Sequence, residues 1–120
     1  MNDMIFVFGS NRAGRHGAGA ALYAMQHYGA VYGVGEGPTG QAYALPTKGY
    51  KVETLPLEEI QEHVVRFLDY AGACPWLTFK VTKVGCGLAG YTEADIMPMF
   101  AGAPDNCLLP FGWHGSCNPW

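Results

Sequence analysis

Two glycine-rich stretches hold the residues through which this chain could do chemistry. Gly9–Gly19 (GSNRAGRHGAG) and Gly85–Gly90 (GCGLAG) each follow an apolar run and lead into a helix-forming segment. Glycine in such places weakens a fold, because it loses more conformational freedom on folding than any other residue. In open α/β sheets, loops at the carboxyl ends of strands and the helix N-termini behind them turn backbone N–H groups outward, and ligands gather there. Two such loops side by side would cradle a pyrophosphate through main-chain donors. The alternative is a pair of tight turns with no ligand. The side chains among the glycines add candidates. Asn11, at a strand end, can donate to hydroxyl groups or stabilise its own turn. His16 suits general acid–base work near neutral pH, or is an exposed loop histidine without a task. Lys48 is a nucleophile if desolvated and a solvated strand-end lysine otherwise. Glu36 would activate water only if its loop folded over the site, and Cys86 reads as a packing position.

The pattern G-x-G-x-x-G occurs twice, as GEGPTG and GCGLAG, and is weak by itself. The first copy leads to a strand. The second comes too late for a following ribose-binding acid, which disfavours a dinucleotide-binding Rossmann domain. The P-loop pattern G-x-x-x-x-G-K-[ST] is absent.

The elements that must position these residues follow from periodicity. Met4–Phe8 (MIFVF) is a continuous apolar run suited to a buried strand. Gly19–Tyr28 reads as a helix with Leu22, Met25 and Tyr28 toward the core. Ala30–Val34 and Gln41–Pro46 read as strands flanking the GEGPTG loop. Leu57, Ile60, Val64, Phe67, Leu68 and Ala71 share one face of a helix, with Pro56 and Glu58 at its start. His63 goes with the polar, solvated set. Trp76–Gly85 alternates as a strand. Thr92 and Asp95 form a capping box that opens a helix, which Pro98 should shorten or kink. Asn106–Phe111 reads as the last strand. The order β-α-β-β-α-β-α-β predicts an α/β domain in three layers spanning residues 1–120.

The bulk numbers narrow the partners. The net charge is −3, and the seven basic residues are scattered from Arg12 to Lys83 with no basic stripe, so extended nucleic acid is a poor fit. The four cysteines lack metal-ligand spacing, so no metal and no cofactor is expected. The apolar run near the N-terminus is too short for a signal peptide or a membrane span, which points to a cytoplasmic chain with reduced thiols.

The motifs FGSN…GRHGAGAA, QAYALPTK and TKVGCGLAGY, in this order, resemble the macrodomain family, which binds ADP-ribose. The branch most similar in motif is that of the terminal ADP-ribose protein glycohydrolases. The resemblance implies a three-layer α-β-α fold with a mixed sheet of about five to six strands. It implies that Ser10, Asn11, Gly17, Ala18 and Gly19 hold the distal ribose side. Gly85, Cys86, Gly87, Leu88, Ala89, Gly90 and Tyr91 would wrap the phosphates. Lys48 matches the branch's attacking lysine, but its partner aspartate falls at Ala89, and only Asp3 is available for the family's adenine-binding aspartate. The ligand that the resemblance implies is ADP-ribose, a related NAD-derived nucleotide or an ADP-ribosylated molecule. Three roles stay open: a hydrolase using Lys48 or substrate-positioned water, with His16 as a candidate acid–base, a non-catalytic reader or sequestering protein, or an interaction module docking through Trp113 and Trp120. Gly19→Glu is expected to abolish binding and leave the thermal melt nearly intact.

Overall fold

The computed structural model describes residues 4–113. The strands are β1 (Met4–Asn11), β2 (Gly37–Thr39), β3 (Ala42–Lys48), β4 (Thr78–Val81) and β5 (Cys107–Leu108). The helices are α1 (Gly19–Tyr28), α2 (Leu57–Ala73) and the short α3 (Glu93–Ile96), which runs into a 3-10 turn at Met97–Phe100. The sheet order is β2-β3-β1-β4-β5. β3, β1, β4 and β5 are parallel, and β2 pairs antiparallel with β3, so the sheet is mixed.

β1 is central and buried on both faces, which explains its unbroken apolar run. Alternate residues turn to opposite sides. Val7 belongs to the buried cluster that holds Ile60, Val64 and Phe67 of α2, and Phe6 and Phe8 belong to the one that holds Ala21 and Ala24 of α1. The α2 side is the larger core. There Phe67 and Phe79 meet edge-to-face at 5.4 Å, and each fully buried ring contributes about 1.5–3 kcal/mol relative to an exposed one. The α1 side differs from expectation. Alanines, with Met25 and Tyr28 at the margin, make the contact, and Leu22 is only half-buried. Small residues let the helix approach a sheet surface already filled by phenylalanines.

The expected strand at Ala30–Val34 does not form. That segment crosses the first glycine loop, with the Gly33 N–H donating to the Gly14 carbonyl at 2.8 Å, and the strand is made instead by Gly37–Thr39 inside GEGPTG. β4 and β5 are shorter than predicted. β4 ends where the Thr82 N–H and hydroxyl both donate to the Val7 carbonyl, at 3.1 and 2.7 Å. Asn106, ahead of β5, spends its side-chain amide on the carbonyls of Ala71, Cys74 and Leu77, closing the C-terminus of α2. The capping box forms, with the Asp95 N–H donating to Thr92 Oγ1 at 3.3 Å, and α-helical geometry ends just before Pro98.

Trp113 is not a docking residue. It is buried against Phe100, and its indole N–H donates to Glu93 at 2.9 Å. Trp120, Asp3 and Cys117 lie outside the described residues. Among the described residues, no helix is long and apolar enough to cross a membrane.

Candidate ligand-binding cleft

The two glycine loops meet on one rim of the sheet. A Cβ on Gly9, near the end of β1, would lie 3.6 Å from the Gly85 N, and one on Gly19 would lie 3.8 Å from Leu88 Cδ1. Between the loops opens a cleft of about 550 Å³. Its walls include Ser10, Asn11, Gly17, Ala18 and Gly19 from the first loop. The second loop contributes Gly85, Gly87, Leu88 and Ala89, and Lys48 lines the cleft at the end of β3. Leu88 is 72% exposed, an apolar side chain standing at the mouth.

A bulge between Ser10 and Asn11 shifts the register so that Asn11 faces Lys48 across the β1–β3 ladder. Bulges at strand ends re-aim side chains in this way. The Asn11 amide is spent locally: Nδ2 donates to the Arg15 carbonyl and Oδ1 accepts from the Arg15 N–H, both at 2.8 Å. Of its two predicted roles, the geometry favours the turn. Ser10 donates its hydroxyl to the Gly35 carbonyl, tying the first loop to the segment behind it.

Four of the expected site residues do not line the cleft. His16 is 0% exposed, edge-on to Phe8, with Nε2 against the Val34 carbonyl at 3.1 Å. Neither the exposed loop histidine nor a cleft acid–base is found there. Its Nδ1 has no hydrogen-bond partner among the described residues. Cys86 turns back toward the Val84 carbonyl and packs on the core, where burial and the neighbouring Glu93 push its thiol pKa up. A raised thiol is a poor nucleophile. Tyr91 donates its hydroxyl to the Leu55 carbonyl at 2.7 Å, and Gly90, just before it, is at φ +88°.

Sequence reasoning missed Arg15, Thr47, Val52, Thr82 and Lys83, which also line the cleft. Lys83 stands two residues after β4 and two before Gly85, a position that its place between strand and glycine loop marks in the sequence; Val52 carries no motif.

The charge distribution is one-sided. Of the chain's seven Lys and Arg residues, Arg15, Lys48 and Lys83 line the cleft, and among the described residues no acidic side chain does. Lys83 is paired with Glu93 at 3.1 Å. Among the described residues, the Arg15 and Lys48 side chains have no hydrogen-bond or ion-pair partner. Main-chain donors add to this. α1 begins without a side-chain cap and with no acidic residue in its first turn, and Ala18–Ala21 line the cleft. A helix N-terminus leaves its first N–H groups unpaired and carries a partial positive charge. What the arrangement can do is hold an anion.

A second polar cluster lies on the α2 side. His63, predicted to be solvated, is 3% exposed. Its Nδ1 donates to Glu36 at 2.8 Å, and Nε2 accepts from Arg12 at 3.3 Å. Arg66 bonds Glu36 through Nε at 3.0 Å, and Arg12 pairs with Glu59 at 3.0 Å. Glu36 is therefore spent in this network and does not line the cleft. Burial raises its carboxyl pKa, but the hydrogen bonds from Arg66 and His63 outweigh this and leave it below its ordinary 4.5. A depressed carboxylate stabilises the fold above its unfolded pKa, and that stability is lost as the pH falls through the folded one. Wild type is accordingly expected to lose melting temperature below about pH 4.5 more steeply than Glu36→Gln, in thermal melts from pH 6 to 3. Parallel curves would remove Glu36 as the source of that slope.

No family model, curated protein or solved structure matches this chain.

Proposed function

We propose that the cleft binds ADP-ribose or a closely related nucleotide diphosphate, and that it does so without carboxylate-assisted hydrolysis. The observation that carries this reading is the meeting of two glycine loops and an uncapped helix end in a cleft lined, among the described residues, by three cations and no acid. In a chain of net charge −3, that asymmetry favours an anionic ligand. The diphosphate spans the loop amides, and Lys48 and Arg15 supply charge from the two sides. The ADP-ribose assignment adds the motif resemblance. On the same reading, the helices on both faces of the mixed sheet form the three-layer macrodomain arrangement.

Hydrolysis of a glycosidic linkage usually employs a pair of carboxyl groups flanking the scissile bond. Here Ala89 stands at the aspartate position of the resembling branch, and its carbonyl is occupied by the Thr54 hydroxyl at 3.0 Å. This favours a reader or sequestering protein over the hydrolase.

Titration calorimetry with ADP-ribose tests the binding. Wild type should release heat and gain melting temperature, whereas an inert titration at millimolar ligand removes the proposal. Lys48→Ala should weaken binding about 10-fold, the effect of losing one charge-assisted hydrogen bond. Incubation with ADP-ribosylated protein then tests catalysis. Release of ADP-ribose by wild type and not by Lys48→Ala would restore the lysine as nucleophile.

A further inference from the structure

The hairpin that follows β3 contains a residue at odds with its own backbone. Lys48 bridges Thr54 in antiparallel fashion, the Gly49 N–H donates to the Glu53 carbonyl at 2.8 Å, and the Val52 N–H donates to the Gly49 carbonyl at 3.0 Å. This is a three-residue loop, Tyr50–Lys51–Val52, in which the last residue must adopt the left-handed conformation. Glycine is the ordinary choice there. In a chain with 17 glycines the position is held by valine, at φ +62°. It is the one non-glycine residue with positive φ among those described. For a β-branched residue that conformation is a genuine outlier.

The strained residue lines the cleft. The hairpin is also fastened to the second loop, because Thr54 donates to the Ala89 carbonyl at 3.0 Å and Tyr91 to the Leu55 carbonyl at 2.7 Å. Strained backbone persists where the surroundings over-determine it, and it concentrates at ligand clamps. Departures from local sequence rules concentrate at functional positions too. Resting on the ADP-ribose reading, we infer that Val52 is a specificity-determining residue: its isopropyl group forms an apolar wall against a ring of the nucleotide, selecting a ring-bearing diphosphate over bare pyrophosphate. A glycine would suit the turn better and leave that wall missing.

The test compares wild type, Val52→Gly and Val52→Asn by calorimetry with ADP-ribose and with pyrophosphate, and by ligand-free thermal melts. Glycine and asparagine both tolerate positive φ, so both variants should melt at or above wild type. Affinity for ADP-ribose should fall about 10-fold, matching the loss of one buried valine side chain, so the preference for ADP-ribose over pyrophosphate shrinks by a similar factor. An unchanged preference, or an equal loss for both ligands, overturns the role of Val52 and leaves the ADP-ribose reading standing. Lower melting of both variants also overturns it, since the valine would then serve the fold. If wild type binds neither compound, the ADP-ribose reading fails and this inference goes with it.

Discussion

Gly17→Glu is expected to reduce ADP-ribose affinity by more than ~100-fold while shifting the melting temperature by no more than about 2 °C. Gly17 lies outside the positive-φ set, and a Cβ placed there meets nothing within 4 Å. A side chain at this position therefore costs the fold little, and Gly17 itself lines the cleft. Glutamate would bring a carboxylate beside Arg15 and Lys48, where it competes for the cations and repels phosphate. Like-charge juxtaposition of this kind costs several kcal/mol. Gly19→Glu is a poorer instrument than the sequence suggested. Gly19 sits at φ +59°, which a side chain adopts at a cost of roughly 1–2 kcal/mol. Its melting temperature should drop by several degrees along with binding. Calorimetry and melts on both variants separate the cases, and normal binding by Gly17→Glu would take the first loop out of the site.

Gly14→Ala is expected to produce the largest loss of stability. Gly14 has φ +73°, and a Cβ there would lie 2.3 Å from the carbonyl carbon of Gly33 and 2.6 Å from its oxygen. Both are backbone atoms, so no rotamer change relieves the overlap. The crossing of the two segments would have to open. It holds the Gly33–Gly14 hydrogen bond and lies beside the Asn11–Arg15 turn that shapes the cleft. A loss of more than ~3 kcal/mol is anticipated, the range of steric conflicts that cannot relax, equivalent to about 10 °C or more. Gly102→Ala is the matched control. Gly102 is exposed, lies outside the positive-φ set and has open space around a Cβ, so its variant should stay within ±0.5 kcal/mol. Urea denaturation of the three proteins decides the matter. A Gly14→Ala midpoint equal to that of wild type would mean that the crossing contributes nothing.

The parts of this fold legible in the sequence are those governed by neighbours along the chain. The apolar run of β1, the stripe of α2 and the Thr92–Asp95 box all depend on residues within a few positions of one another, and all form. The loops around the cleft were legible because glycine spacing between strand and helix is itself a local pattern. What escaped was fixed by distant partners. His63 was assigned to water because it is polar, yet it lies three residues after Ile60 and four before Phe67, on the buried stripe. Only Glu36, 27 residues away, and Arg12, 51 away, make that burial tolerable. His16 was misplaced for a related reason, since the Val34 carbonyl that meets its Nε2 belongs to a segment expected to be a strand. The wall at Val52 gave no signal, because nothing in a valine announces a left-handed backbone.

The two outermost strands have a consequence for how copies of this protein meet. An uncovered sheet margin recruits other chains by offering a row of unmated amides and carbonyls. Here one margin is the two-residue β5, and the other is the three-residue β2, whose middle residue, Pro38, has no amide proton to give. Neither flank offers a template long enough to nucleate fibril-like stacking, so the described sheet resists lateral growth by its own geometry.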